Sequence, residues 1–189
     1  MWKSGEPVPA LARGGLVTMK RHTRRNGFTL IELLIVIALL GMLIVAGVGS
    51  FISSVKKSRD SRRKSDLGQV AQALETYYND KGKYPLGDAG QIKGCILGSG
   101  SISDCTWGKK WSDLLASPET IYMLALPTDP QPGEAYYYDS LDGSYYKIYS
   151  TIENTMDTDK GVKITGYANT NCGGGAECMY GIASSNTPL

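Results

Sequence analysis

Residues 28–55 form an apolar run broken at one position. FTLIELLIVIALLGMLIVAGVGSFISSV contains a single charged residue, Glu32, and from Leu33 to Val55 there are 23 uncharged residues. About 20 such residues cross a bilayer as a helix. The basic sequence RRNG at residues 24–27 precedes the run. A chain of this kind carries one membrane-length helix, a basic flank before it, and a carboxylate where a carboxylate is costly. An ionised group at the bilayer centre costs roughly 2.5–3.5 kcal/mol on insertion scales, so it seeks a partner. In the first turn of a helix the same carboxylate complements the helix dipole, worth about 0.3–1 kcal/mol.

After Val55 the pattern changes. Lys56, Lys57, Arg59, Arg62, Arg63 and Lys64 make a basic run broken by Ser and Asp. Leu67, Val70, Ala71, Leu74, Tyr77 and Tyr78 then recur at helical spacing, which predicts an amphipathic helix with one buried stripe. No breaker stands between Phe28 and Asp80, so a single continuous helix is expected, ended by Gly82 and Pro85 in DKGKYP. The basic run reads as a solvated or lipid-headgroup face, or as a salt-bridge surface between subunits. With six Lys/Arg on each side of the apolar segment, the positive-inside rule is nearly silent.

Net charge hides an asymmetry. Residues 1–27 hold six Lys/Arg and one Glu, a charge of +5, and the remainder sums to −3. No nucleic-acid partner is expected from such a balance. All 12 tyrosines lie at or beyond Tyr77, the mark of a β-rich domain over residues 82–189. Within it, residues 87–100 read as a glycine-rich loop and Trp111–Leu115 as a short helix. LPTDPQPGE reads as a proline-rich turn region. A strand is expected over Ala135–Tyr138, a turn at Ser140–Gly143 with the Asp-Gly signal of a hairpin, a returning strand over Tyr145–Ile152, and an edge strand over Met179–Ala183. Four cysteines, Cys95, Cys105, Cys172 and Cys178, admit three pairings. Proximity favours Cys95 with Cys105 and Cys172 with Cys178, and hence an oxidising compartment. The alternative is four reduced thiols.

No enzyme chemistry is visible. The one histidine, His22, precedes the apolar run, and there is neither a Gly-x-Ser-x-Gly nor a phosphate loop. No cofactor is implied. Asp157 and Asp159 supply only part of the six to eight oxygens that calcium takes, and a polar turn is the alternative reading.

The stretch Gly27-Phe28-Thr29-Leu30-Ile31-Glu32 resembles the class III signal of type IV pilins and of the pseudopilins of type II secretion. The order of LPTDP, a tyrosine strand, a turn and YYKIYS in the head is similar too, although the usual Trp-Gly after Asp-Pro is replaced by Gln131-Pro132-Gly133. The resemblance implies cleavage after Gly27 by a prepilin peptidase and N-methylation of the new first residue, Phe28. It implies that Glu32 neutralises the free amine of a neighbouring subunit during filament assembly. It also implies a pilin fold: an α+β chain whose long N-terminal helix spans the membrane in its first half and packs in its second half on a small antiparallel β-sheet head. In the secretion-system members a C-terminal loop often binds calcium, which is why Asp157 and Asp159 are considered.

The expected organisation is a leader over 1–27, a membrane and filament-core helix over 28–55, its amphipathic continuation over 56–81, and the head over 82–189. A start at Met19 would give a nine-residue leader, MKRHTRRNG, typical of the family. The expected function is a structural subunit of a type IV pilus-like filament. Alternatives are the major pseudopilin of a type II secretion system and, from another class, a membrane-anchored binding protein that does not polymerise. Expected partners are copies of itself, the prepilin peptidase, an assembly-platform membrane protein, minor pilins or pseudopilins, and membrane lipid before assembly. The expected location is the cytoplasmic membrane, single-pass with the head outside, and then a cell-surface or periplasmic filament.

Overall fold

The computed structural model describes residues 27–175 and 177–189, and of residues 45–48 the backbone alone. The expected leader, with Met19 and His22, lies outside the described residues apart from Gly27. The chain divides into two units, one ending at Leu43 and the other beginning at Ile44.

Helix α1 runs over Leu30–Lys81, 52 residues. Its start is set by Thr29, whose hydroxyl accepts the Glu32 backbone N–H at 3.3 Å. This is the N-cap position, and a glutamate three residues on is the sequence pattern of a capping box. Its end is set by Gly82, which adopts φ 72° and donates its N–H to the Tyr78 carbonyl at 2.8 Å. Glycine takes that left-handed conformation without a Cβ clash. Among the described residues α1 is the one helix long and apolar enough to cross a membrane.

In the first unit, every described side chain from Phe28 to Leu43 is exposed. In the second unit, the later part of α1 buries Leu67, Val70, Ala73, Leu74 and Tyr77. These residues keep the three- and four-residue spacing of one helical stripe. Ala71 sits at the margin of the core and Tyr78 is exposed.

The head carries two sheets. The first contains β1 (Leu86–Asp88), β2 (Gln91–Ile96), β3 (Ile102–Cys105), β4 (Trp111–Asp113) and β5 (Thr120–Met123), in the order β1-β2-β4-β5 with β3 also on β2. Its pairings are antiparallel except that between β2 and β4, which is parallel at Ile96 and Asp113. The second is the antiparallel set β6 (Tyr137–Asp139), β7 (Lys147–Ser150) and β8 (Tyr180–Ala183). The stripe of α1 meets Ile92, Trp111, Tyr122, Leu126, Tyr138 and Ile148 in one core. Tyr77, Trp111 and Tyr122 form an aromatic triangle at its centre, with ring centroids 5.0–5.5 Å apart.

Several expectations are corrected here. Trp111–Asp113 is strand β4, not the start of a helix. Five residues are too few to sustain a helix alone, whereas β5 supplies an antiparallel partner and the Gly94 carbonyl accepts the Trp111 indole N–H at 3.0 Å. Residues 87–100 are not a loop throughout, because they hold most of β1 and all of β2. Gly94 stands within β2 for a steric reason: a Cβ there would lie 2.8 Å from the Pro85 side chain. The hairpin of β6 and β7 is present, but β6 (Tyr137–Asp139) is shifted towards the turn, ending past the expected Tyr138, while β7 (Lys147–Ser150) is shorter than the Tyr145–Ile152 segment that contains it. Edge strand β8 begins at Tyr180 rather than Met179. Disulfides join Cys95 to Cys105, tying β2 to β3, and Cys172 to Cys178, closing a glycine loop packed on Tyr149.

Candidate functional site

The sequence directs attention to the start of α1. Residues 27–29 precede the first helical residue, and Gly27, Phe28 and Glu32 are all exposed. The Gly27–Phe28 peptide bond therefore precedes the helix, on exposed residues. Phe28 is 85% exposed. Among the described residues no cation pairs with the Glu32 carboxylate. The Thr29 cap and Glu32 together place an acidic group at the positive end of the helix dipole.

The apolar side chains that follow have no cover within their own unit. Leu30, Ile37 and Leu43 are exposed, as are Leu33, Leu34 and Leu40. Burying one such side chain is worth about 1.5–3 kcal/mol. A helix of this composition is thus driven strongly into any apolar surrounding that offers itself, whether lipid or another helix.

The basic run forms a second cluster, and here the structure departs from expectation. Arg63 is fully buried. Its guanidinium donates to both Asp129 oxygens at 2.8 and 2.9 Å, and to Asp60 and Glu153 at 2.8 Å each. Arg59 also pairs with Glu153. Asp60 accepts the backbone N–H groups of Glu153 and Asn154 at 3.0 and 2.8 Å. Lys64 donates to Asp157 at 2.6 Å and to Asp159 at 2.5 Å. Of the six cations, Arg59, Arg63 and Lys64 are turned onto head carboxylates, and Arg62 faces Asp66 on its own helix at 3.7 Å. Lys56 and Lys57 are the exposed remainder.

The electrostatics follow from this geometry. Burial disfavours charge on Arg63, but the hydrogen bonds to Asp129, Glu153 and Asp60 outweigh it, and its pKa is raised. The Arg59 hydrogen bond, aided by Arg63 against the cost of burial, lowers the Glu153 carboxyl to about 2. Burial disfavours the Lys64 ammonium, and the bonds to Asp157 and Asp159 overcome that cost and raise its pKa. Asp157 and Asp159, considered as calcium ligands, are instead brought together by the Lys64 ammonium. Among the described residues no group of three or more His, Cys, Asp or Glu side chains is placed to hold a metal ion.

Sequence reasoning missed the Arg63 cluster because an apolar-stripe search passes over charge. A signal was present. Arg63 stands four residues before Leu67 and seven before Val70, on the same face as the core, with Asp60 one turn behind it.

The family described as the prokaryotic N-terminal methylation motif matches residues 22–48. The type IV major fimbrial protein FimA of Dichelobacter nodosus is 32% identical over 138 residues, 72% of this chain and 72% of that protein. The type II secretion system core protein G of Pseudomonas aeruginosa is 29% identical over 118 residues, 62% of this chain and 75% of that protein. The type IV major pilin protein PilA of Myxococcus xanthus is 36% identical over 63 residues, which span 33% of this chain and 29% of that protein. No solved structure matches the chain.

Proposed function

Because this chain belongs to the superfamily of type IV pilins and type II secretion pseudopilins, we propose that it is the structural subunit of a type IV pilus-like filament. In this reading it is made as a membrane-bound precursor, cleaved after Gly27, N-methylated at Phe28, and polymerised through α1. The observation that carries the reading is the long exposed apolar helix, which begins at an uncovered Phe28 and Glu32, in a chain related to a fimbrial protein over most of its length.

The mechanism is assembly, not catalysis. A prepilin peptidase hydrolyses the Gly27–Phe28 bond, which lies outside the helix, and releases a new amine at Phe28. The Glu32 carboxylate of one subunit then pairs with the Phe28 amine of the next, so a charge that is costly in hydrocarbon is neutralised on assembly. The apolar first half of α1 exchanges lipid for copies of itself on an assembly platform. Throughout, the head stays folded on the second half of α1 through its core and the Arg63 cluster.

Glu32→Ala tests this directly. The variant is expected to be cleaved and methylated normally, by mass spectrometry of the purified subunit. It is also expected to give no surface fibres by electron microscopy, with a strain deleted for the protein as control. Fibres at normal yield would overturn the assembly role. A major pseudopilin is the second reading, favoured by the similarity to core protein G over 62% of the chain. Loss of exoprotein export without loss of surface fibres in the deleted strain would select it. Cross-linking that joins Phe28 of one copy to Glu32 of another would exclude an anchored protein that never polymerises.

A further inference from the structure

Met156 is the most exposed large apolar side chain among the described residues, at 88%. It does not hang on a loose end. The Asn154 backbone N–H donates to Asp60 at 2.8 Å, and Lys64 donates to both Asp157 and Asp159. Met156 is thus held between two anchors on α1, level with residues 60–64. Methionine is unbranched and polarisable, fills irregular apolar gaps and contacts aromatic rings favourably. Fixed in position and kept out of its own core, it is placed to enter a pocket on another molecule.

The same head carries such a pocket. A cavity of about 160 Å³ is walled by Tyr77, Tyr84, Pro85, Leu86 and Ile102. This is well below the roughly 300 Å³ at which small-molecule sites begin, and it suits a single inserted side chain. Its apolar wall is open, since Leu86 and Ile102 are exposed. Lys83 and Lys93 complete the lining. Lys93 is engaged by Asp88, whereas Lys83 is exposed and pairs with no carboxylate among the described residues. Beside the methionine, Asp159 gives one oxygen to Lys64 and keeps a side chain that is 71% exposed. Met156 and the pocket therefore match in apolar character, and the open charges beside them are opposite in sign.

The two surfaces lie at different ends of the head. The pocket takes in Tyr77 and the chain just past Lys81, about 25 Å along α1 from residues 60–64, so no copy can fill its own pocket. Leu141 is also strongly exposed, but its turn is at the pocket's own end, where the Gly143 carbonyl accepts the Tyr84 N–H at 2.9 Å. A contact between unlike surfaces is heterologous, and where its rotation does not close a ring it propagates as an open helical array. We propose that Met156 of one copy enters the pocket of Tyr84, Leu86 and Ile102 on a second copy, with Asp159 meeting Lys83, so that heads join end to end. The inference rests on the filament reading above. It adds a contact between heads to the one made by the apolar half of α1.

The test is cysteine cross-linking, with a mild oxidant, in host cells whose own copy is replaced by variants of the full chain. No free cysteine competes among the described residues. Met156→Cys with Leu86→Cys in one chain is expected to give a ladder of disulfide-linked dimers, trimers and higher multiples. Met156→Cys with Leu141→Cys is expected to give none, and so is either Met156→Cys or Leu86→Cys alone. Met156→Asp is expected to lower filament yield about tenfold or more, since a large apolar group is lost from every contact, whereas Met156→Leu should keep it. Thermal unfolding of both should match the parent, because the side chain is exposed. Parent yield in Met156→Asp, or filaments of the double-cysteine chain without the ladder, would overturn the docking site and leave the filament reading standing. A dimer from Met156→Cys alone, or a product joining the Leu86→Cys chain to a different protein, would overturn it as well. If the parent chain gives neither filaments nor a cross-link from Phe28 to Glu32 between copies, the filament reading falls and the docking site with it.

Discussion

The two halves of α1 share one backbone and differ in what their side chains meet. In the first, apolar groups remain open, from Val36 at 46% to Leu30 at 83% exposed; in the second, Leu67, Val70 and Leu74 are at 0–1%. The charged residues divide in the same way. Glu32 has no cation among the described residues, whereas Arg63 has three carboxylates. The second half finds its solvent inside its own chain, in the core that the head lays over it. The first half has no such cover, and its burial has to come from lipid or from other copies. One continuous helix is thus used for two different ends. One half fixes the fold of a subunit, and the other is reserved for whatever the subunit joins.

That comparison is broken most severely at Arg63. Arg63→Ala leaves Asp60 and Asp129 without their cation and Glu153 with Arg59 alone, a change expected to cost about 3–5 kcal/mol. Thermal unfolding of the full chain in detergent should show it, while Glu32→Gln should leave the same transition in place. Leu74→Ala is expected to destabilise the head by about 3 kcal/mol, through lost burial and the cavity left behind. The matching change in the first half, Leu34→Ala, should leave head unfolding within about 0.5 kcal/mol.

A pH series sharpens the electrostatic side of the contrast. Folding lowers the Glu153 carboxyl from its ordinary 4.5 to about 2, so the folded head binds that proton less tightly than the unfolded chain does. The stabilisation is complete above pH 4.5 and is lost as pH falls towards 2. After allowance for solvent screening it is worth about 1–2 kcal/mol. Glu153→Gln should flatten this acid limb of an unfolding-against-pH curve. A smaller effect than that of Glu153 is expected at the cap. Thr29→Ala should loosen the first turn by about 0.5–1 kcal/mol, read as faster amide exchange at Ile31 and Glu32 with no change in the core of the head.

Much of the fold is legible in local pattern. The spacing of Leu67, Val70, Leu74 and Tyr77 is a property of one helix, and so is the stop at Gly82. The tyrosine strands around the Asp-Gly turn depend on neighbours a few residues away. Trp111 is harder to read. Its segment is apolar and short, and only the proximity of β5 and of the Gly94 carbonyl makes it a strand. The basic run is harder still, since a row of lysines and arginines has the same sequence whether it faces water or carboxylates.

The sequence by itself determined the membrane-length run, the glycine and glutamate that bracket Phe28, and the face of α1 that would be buried. Each is set by chemistry repeated along one stretch of chain. Only the tertiary structure decided what became of the charge beyond that stretch. Arg63 meets Asp129 and Glu153 from 66 and 90 residues away, and the Lys64 ammonium draws together Asp157 and Asp159, the two aspartates considered for calcium. Such pairs depend on where intervening turns deliver a carboxylate, and no periodicity in α1 records that. Burial makes these distant contacts strong, since a charge removed from water must be matched by partners the fold brings to it.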